Sequence, residues 1–295
     1  MELVKLSPAI KSYIWGGNYF QKFSKGISFE TISELWELSL REDGPTLIDS
    51  GVNKGKSLLS AASKEDLGSL VDKYPFFPVL VKLIDANDNL SIQVHPSDEY
   101  ALKNENSFGK YEVWYILSSE PNSGIYVGLN KDYSKEEISE KLYNNSIISA
   151  LNFYEVKPGE VYEISPGTIH AIGKGVRILE VQQNSGLTYR LFDYNRVDKN
   201  GNPRELHISK ALDVLNYSKY VPSKCKDTKY FNFEIKDVDD LTIHASEESF
   251  ILIMCLTGQG NINELKFNQY DSFFLPAGKE AKIKGRGKFA FISMK

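Results

Sequence analysis

Two of the four histidines in this chain of 295 residues stand where they could do chemistry. The first, His95, ends a run in which the side chains of a β-strand would alternate between two faces. Ser91, Gln93 and His95 then share one face, while Ile92 and Val94 point into an apolar core. A polar face of this kind has to meet solvent or a ligand that satisfies it.

The second histidine, His170, follows a Pro-Gly corner at residues 166–167 and begins a predicted strand, so that its side chain points to one defined side. On a further strand, Lys110, Glu112 and Trp114 alternate onto one face. The three segments offer two imidazoles, a carboxylate and an amide oxygen, and zinc takes nitrogen and oxygen ligands. Spacing alone does not establish a metal site, because a strand histidine next to proline is more often a hydrogen-bonded structural residue.

The elements that must position these residues are mostly strands. Amphipathic helices are fewer, and the pattern predicts them to begin at Ser63 and Ser134 and to span residues 207–215. Short β-branched or aromatic runs bounded by turn residues predict strands at residues 90–94, 112–117, 161–164, 176–182, 250–256 and 289–293.

Two segments of the chain resemble each other, at residues 158–167 and 268–278. Each is a turn, a short strand of alternating character, and a corner made by Pro-Gly or Pro-Ala-Gly. Two related β-units in one chain indicate a duplicated barrel. The polar turn cluster at residues 198–203 is the best candidate for the boundary between them, and residues 220–228 are expected to form an exposed connection.

The composition excludes several partners. A net charge of -4 gives no long-range attraction for nucleic acid or for an anionic membrane, so an anionic substrate needs a local basic site. No apolar run approaches the roughly 18 to 20 residues of a membrane span, and residues 1–5 lack the regions of a signal peptide.

Neither Cys225 nor Cys255 has metal-binding spacing, and Cys255 is expected to be a buried, reduced thiol. We expect a cytoplasmic protein, and the sequence indicates no protein partner.

Motifs in register extend along two thirds of the chain and resemble those of the type I mannose-6-phosphate isomerases in their short bacterial form. That resemblance implies a mainly β fold of two cupin-like (jelly-roll) barrels with a few peripheral helices. It also implies a zinc-dependent aldose–ketose isomerase that interconverts mannose 6-phosphate and fructose 6-phosphate by proton transfer through an enediol intermediate. The similar segments are residues 13–17, 35–39, 77–86, 90–96, 109–115, 166–171, 180–185, 188–194 and 204–208.

The resemblance also implies roles for single residues, with one zinc ion per chain. The implied zinc ligands are Gln93, His95, Glu112 and His170. The implied catalytic residues are Arg190, Lys110 and Lys82, and the implied substrate-binding residues are Ser91, Lys110 and Arg190.

The second unit resembles the family only weakly, and it has Glu280 where the first has His170. We therefore expect an N-terminal catalytic cupin barrel with the metal site over residues 1–200. A helical connection and a smaller, metal-free cupin-like barrel are expected over residues 201–295.

Two other functions stay open. Two histidines and one carboxylate are also the facial triad of non-haem iron oxygenases, which barrels of this class can hold. A non-catalytic barrel that binds sugar phosphates through a vestigial site is the third interpretation. Gln93 and the anion-binding Arg190 favour zinc and a phosphorylated sugar over the oxygenase. The intact ligand set argues against the vestigial barrel, because a polar cluster inside a barrel is costly unless something satisfies it.

The proton-transferring base is also open. A lysine in a cationic, metal-containing site could have a depressed pKa and act as the base, and so could a metal-bound water. The alternative, purely structural interpretations are that Arg190 is ion-paired with Asp193 and that the Lys82 side chain extends out of the sheet to solvent. Structural roles are favoured for His207 and His244.

Overall fold

The computed structural model describes residues 1–23, 31–198, 200–222 and 228–295. Strands dominate the N-terminal part. They are β1 (Val4–Ser7), β2 (Ala9–Lys11), β3 (Glu34–Leu38), β4 (Leu47–Ile48), β5 (Val79–Ala86), β6 (Ile92–Val94), β7 (Glu112–Ser119), β8 (Gly124–Leu129), β9 (Leu151–Glu155), β10 (Val161–Ile164), β11 (His170–Ile172), β12 (Val176–Gln183) and β13 (Tyr189–Phe192).

The C-terminal part consists of strands only, apart from one helix that precedes them. The strands are β14 (Phe231–His244), β15 (Ile251–Gly258), β16 (Gly260–Ile262), β17 (Leu265–Phe267), β18 (Ser272–Leu275) and β19 (Glu280–Met294).

The helices are short and lie at the periphery. The predicted start at Ser134 is confirmed by a capping box, in which the Ser134 hydroxyl accepts from the backbone N–H of Glu137 and the Glu137 carboxylate accepts from that of Ser134. The α-helices are α1 (Leu58–Ala61), α2 (Lys64–Leu67), α3 (Asp98–Asn104), α4 (Lys135–Tyr143) and α5 (Ile208–Val214), and 3-10 helices span Tyr19–Lys22, Gly51–Asn53, Ser69–Lys73 and Ile147–Ala150. Within the described ranges no helix is both long and apolar enough to cross a membrane.

Two sheets enclose the interior of the N-terminal barrel. A six-stranded sheet has the order β10-β7-β12-β5-β3-β2, and a five-stranded sheet has the order β13-β6-β11-β8-β9. Their facing sides share one apolar cluster, in which Ile84, Trp114 and Ile178 of the first sheet pack with Val127 and Ile172 of the second. The outer face of the five-stranded sheet packs against α4 and α5.

The third sheet has eight strands and curls around its own apolar cluster, which contains the buried Cys255. It also includes β1 and β4 from the start of the chain, because β1 pairs with β18 and β4 pairs with β1. The mainly β architecture with few helices confirms the expected fold class. The division of the chain at residue 200 stays a prediction, and Cys225 lies outside the described residues, as does most of the connection expected at residues 220–228.

The six-stranded sheet is covered on both faces, because its outer face packs on the eight-stranded sheet. A carboxyl group is buried in this contact. Glu37 of β3 is 1% exposed, and its Oε2 accepts a hydrogen bond of 2.6 Å from the hydroxyl of Ser272 on β18. Burial raises the pKa of Glu37 to about 8, although the Ser272 hydrogen bond opposes the shift. The carboxyl group is therefore protonated at neutral pH in the folded protein.

Replacing Glu37 by Gln should change how stability depends on pH. The unfolded chain releases this proton near pH 4.5 and the folded chain near pH 8, so the wild type loses stability as pH rises between these values. The slope from this one group approaches about 1.4 kcal/mol per pH unit. Glu37→Gln cannot titrate, so its free energy of unfolding relative to the wild type should rise from pH 5 to pH 8. Urea unfolding at several pH values measures this.

The matched control for that experiment is Glu234→Gln, at an exposed position on β14. Its stability should follow the pH profile of the wild type. Parallel profiles for Glu37→Gln and the wild type would show that Glu37 is ionised in the folded protein.

Candidate metal centre

Strand pairing brings the sequence-predicted residues onto the facing sides of the two N-terminal sheets. Within the five-stranded sheet, His170 of β11 and Arg190 of β13 both stand opposite Gln93 of β6. The neighbours Ile92 and Val94 point the other way, into the cluster shared with the helices, as alternation predicts. The six-stranded sheet supplies residues from across the barrel, which are Lys82 of β5, Glu112 of β7 and Glu180 of β12.

Three buried side chains form a compact cluster between the sheets. One ligand atom from each of His95, Glu112 and His170 lies within 4.8 Å of the other two. The Nε2 of His95 is 3.2 Å from Oε1 of Glu112, and the Nε2 of His170 is 3.9 Å from its Oε2. The amide Nε2 of Gln93 is 3.3 Å from the Nε2 of His170. These residues come from three separate segments of the chain and could hold one metal ion.

The hydrogen bonds around the cluster fit a metal ligand set. The Nδ1 of His170 lies 2.8 Å from the carbonyl of Thr168, so that Nδ1 carries the proton and the Nε2 lone pair faces the cluster. The Oε1 of Gln93 accepts from the Ser91 hydroxyl at 3.2 Å. The two ends of an amide have nearly the same shape, and rotating this one would turn its oxygen toward His170. Among the described residues, the buried Nδ1 of His95 has no hydrogen-bond partner.

Burial sets the protonation states that a metal site needs. It lowers the pKa of His95 to about 3, with a contribution from the charge of Lys110, and it lowers the pKa of His170. Burial alone would raise the pKa of Glu112, but the Lys110 ammonium and His95 hold it well below its ordinary value. Neutral imidazoles beside an ionised carboxylate are the forms that coordinate a metal ion.

Both predicted lysines are buried in ion pairs rather than extended to solvent. The Nζ of Lys110 lies 2.6 Å from Oε1 of Glu112, and that of Lys82 lies 3.0 Å from Glu180 and 3.7 Å from Glu34. Burial by itself would lower the pKa of Lys82, but these two carboxylates raise it above its ordinary value. The expectation of a lysine with a depressed pKa is therefore not met at Lys82, which keeps its proton at neutral pH.

Sequence reasoning missed the two carboxylates that pair with Lys82. Glu180 is 3% exposed, and its Oε2 accepts from the indole N–H of Trp114 at 3.1 Å. Burial and the charge of Glu112 raise the pKa of Glu180. A signal was available in the sequence, since Glu180 interrupts the apolar run of β12. The structure then places it opposite Lys82 in the sheet register.

Arg190 projects into the same interior from the edge of the five-stranded sheet. Its Nε donates to the Ser91 hydroxyl at 3.3 Å, and its Nη1 donates to the carbonyl of Glu205 at 2.7 Å. The ion pair with Asp193 considered from the sequence is wrong, because Asp193 pairs with Arg196 and Arg204 instead. Within the described part of the chain, the Arg190 guanidinium has no carboxylate partner.

One cavity of about 540 Å³ is lined by the two lysines, by Glu180 and by Arg190, but not by the three cluster residues themselves. Its volume lies in the range of small-molecule sites. The cluster of His95, Glu112 and His170 sits behind Gln93 and Lys110, which contact it. Residues with predicted roles that line the cavity are Lys82, Ser91, Gln93, Lys110 and Arg190, and it is also lined by Glu34, Glu180, Arg204 and His207.

Removing one imidazole from the cluster should strongly weaken metal binding. We expect His95→Ala and His170→Ala each to weaken zinc affinity by more than the roughly 10- to 100-fold that loss of an outer-shell partner causes. Equilibrium dialysis followed by metal analysis measures the bound zinc. His244→Ala removes an exposed histidine paired with Glu280 and should bind zinc like the wild type. Full zinc occupancy in either cluster variant would remove that residue from the ligand set.

Comparison of the sequence with known proteins points to one family. The family model for the catalytic domain of type I phosphomannose isomerase matches residues 3–121, and that for the cupin domain of mannose-6-phosphate isomerase matches residues 223–294. The mannose-6-phosphate isomerase ManA of Bacillus subtilis is 34% identical over 304 residues, which cover 94% of each chain. The mannose-6-phosphate isomerase of Streptococcus mutans is 42% identical over 209 residues, which cover 70% of this chain and 65% of the relative.

Solved structures agree with the sequence comparison. The crystal structure of mannose 6-phosphate isomerase from Bacillus subtilis matches with a TM-score of 0.89 and 32% identity, covering 99% of both chains. A zinc-bound mannose 6-phosphate isomerase shares the fold, with a TM-score of 0.80 at 17% identity over 100% of both chains. The expected cupin fold is thus confirmed. The chain belongs to the type I mannose-6-phosphate isomerases.

Proposed function

We propose that this protein interconverts mannose 6-phosphate and fructose 6-phosphate with one zinc ion held by Gln93, His95, Glu112 and His170. The observation that carries the proposal is the buried His-Glu-His cluster, which lies behind a cavity lined by Arg190. Relatives over nearly the whole chain carry this activity in their names. The partner is then a small sugar phosphate, and a cytoplasmic location is part of the same proposal.

The donor set favours zinc among the metals that cupin barrels can hold. Two neutral imidazoles, a carboxylate and an amide oxygen match the nitrogen and oxygen ligands of zinc. When bound, zinc supplies a Lewis acid that polarises the substrate oxygen and stabilises the negative charge of an enediolate. A zinc-bound relative with the same fold supports this choice.

Arg190 is the group we assign to the phosphate. A guanidinium can bind two phosphate oxygens through parallel N–H donors, and this one need not first break an ion pair with a carboxylate. Its present partners are a hydroxyl and a carbonyl oxygen, those of Ser91 and Glu205. Ser91 lies between Arg190 and Gln93, so its hydroxyl can contact a substrate that spans the cavity.

We assign proton transfer between the two reacting carbons to the buried ion pair of Lys82 and Glu180. Lys82 is an ammonium and can donate a proton or a hydrogen bond. Glu180, with its raised pKa, is better matched to accepting a proton near neutral pH than an ordinary carboxylate. Lys110 lines the cavity beside Glu112, and its charge would stabilise negative charge on the oxygens of a substrate bound there.

The test of the proposal is a coupled assay on mannose 6-phosphate with zinc-loaded protein, before and after chelation. We expect turnover that chelator abolishes and added zinc restores. Undetectable turnover by fully loaded protein would favour the vestigial binding barrel. Copurified iron together with substrate-dependent oxygen consumption would favour the oxygenase.

Replacing Arg190 by Ala should separate substrate binding from metal binding. Because Arg190 contacts no residue of the His-Glu-His cluster directly, the variant should retain zinc while kcat/KM falls by at least about 100-fold, as expected for a lost charged contact to phosphate. Metal analysis and steady-state kinetics provide the two measurements. Arg286→Ala, at an exposed position on β19, is the matched control and should behave as the wild type. Unchanged kinetics in Arg190→Ala would show that the phosphate binds elsewhere.

A further inference from the structure

The edge of the five-stranded sheet at Arg190 is closed by a short segment rather than by another strand. β13 is the end strand of that sheet, so one side of its backbone lacks a neighbouring strand. Here the backbone N–H of His207 donates to the carbonyl of Arg190 at 2.8 Å. The backbone N–H of Arg190 in turn donates to Nδ1 of His207 at 3.2 Å. The side chain of His207 thus takes the place of a strand carbonyl.

The same segment holds the other end of Arg190, through the bond from its Nη1 to the carbonyl of Glu205. Arg190 is therefore fixed at its N–H, its carbonyl and its guanidinium by residues only two positions apart. Since the Arg190 guanidinium has no carboxylate partner among the residues that the structure describes, this bond is one of the few contacts that set its direction. The contact with Ser91 is the other hydrogen bond of its side chain within the described residues.

The chemistry of the imidazole makes this contact specific. Nδ1 can accept a hydrogen bond only when it carries no proton, so the Nε2–H tautomer of neutral histidine is required. Burial lowers the pKa of His207, the charges of Arg190 and Lys210 lower it further, and Glu205 and Glu105 oppose the shift. The neutral form therefore predominates at neutral pH.

We infer that His207 is a positioning residue for Arg190, and that it orients the guanidinium toward the phosphate of a sugar phosphate bound in the cavity. This inference rests on the proposed function. It goes beyond the structural role that the sequence favoured. His207 is the N-cap residue of α5, yet its side chain makes no capping hydrogen bond. It lines the cavity, and its Nδ1 accepts a hydrogen bond from the backbone N–H of Arg190 instead.

Two matched amide variants test this inference. In His207→Asn the amide oxygen can occupy the position of Nδ1, whereas in His207→Gln it lies one carbon farther out. Losing the acceptor should weaken binding of inorganic phosphate and raise KM for mannose 6-phosphate by about 10-fold, which corresponds to one hydrogen bond. We expect this loss in His207→Ala and His207→Gln, and values within about 2-fold of the wild type in His207→Asn. Bound zinc should be unchanged in all three.

Calorimetric titration of the zinc-loaded proteins with inorganic phosphate measures phosphate affinity, and so tests the inference without requiring turnover. Hydrogen exchange at the Arg190 amide provides a second measurement, and it should be faster in His207→Ala and His207→Gln only. If the wild type does not isomerise the sugar phosphate, the proposed function fails while the titration still decides the role of His207. Equal phosphate affinity in His207→Ala and the wild type would overturn the inference and leave the isomerase intact. Equal losses in the Asn and Gln variants would likewise overturn it, because they would indicate a general structural role.

Discussion

The structure depends on compensation among charges buried inside the N-terminal barrel. Three carboxylates, Glu34, Glu112 and Glu180, face only two ammonium groups, Lys82 and Lys110. Charges buried away from water are tolerated only when they are paired or bound to metal. The buried acids outnumber the buried bases here, and both histidines of the cluster are held neutral. A divalent cation would more than offset this excess of negative charge, and the neighbouring arginine remains available for an anionic substrate.

The six-stranded sheet makes this arrangement possible because both of its faces are covered. Its outer face carries apolar residues that pack on the eight-stranded sheet, together with the protonated Glu37. Its inner face changes character along the strands. Polar and ionisable residues gather at one end, while Ile84, Trp114 and Ile178 fill the other end with apolar packing. The apolar end keeps water out and so strengthens the electrostatic interactions at the polar end.

The five-stranded sheet contributes the residues that connect the metal site to the cavity. Gln93 stands between His170 and Arg190 in the register, and Ser91 joins Gln93 to Arg190 through its hydroxyl. Because β13 is an edge strand, its geometry also depends on residues beyond position 200. The cavity is therefore completed by the segment from Arg204 to His207, which directly precedes α5.

Local alternation was enough to place Ser91, Gln93 and His95 on one polar face of a strand, and the similarity of several motifs indicated the full ligand set and the fold. Alternation says which face a side chain occupies, but not which distant side chain it meets. Only the tertiary structure decided that Lys82 pairs with Glu180 and that Asp193 leaves Arg190 free of a carboxylate. It also decided that His207 closes the edge of β13. These contacts join residues far apart in the chain or in irregular segments, where side-chain periodicity carries no information, and their energies depend on a burial that exists only once the sheets have packed.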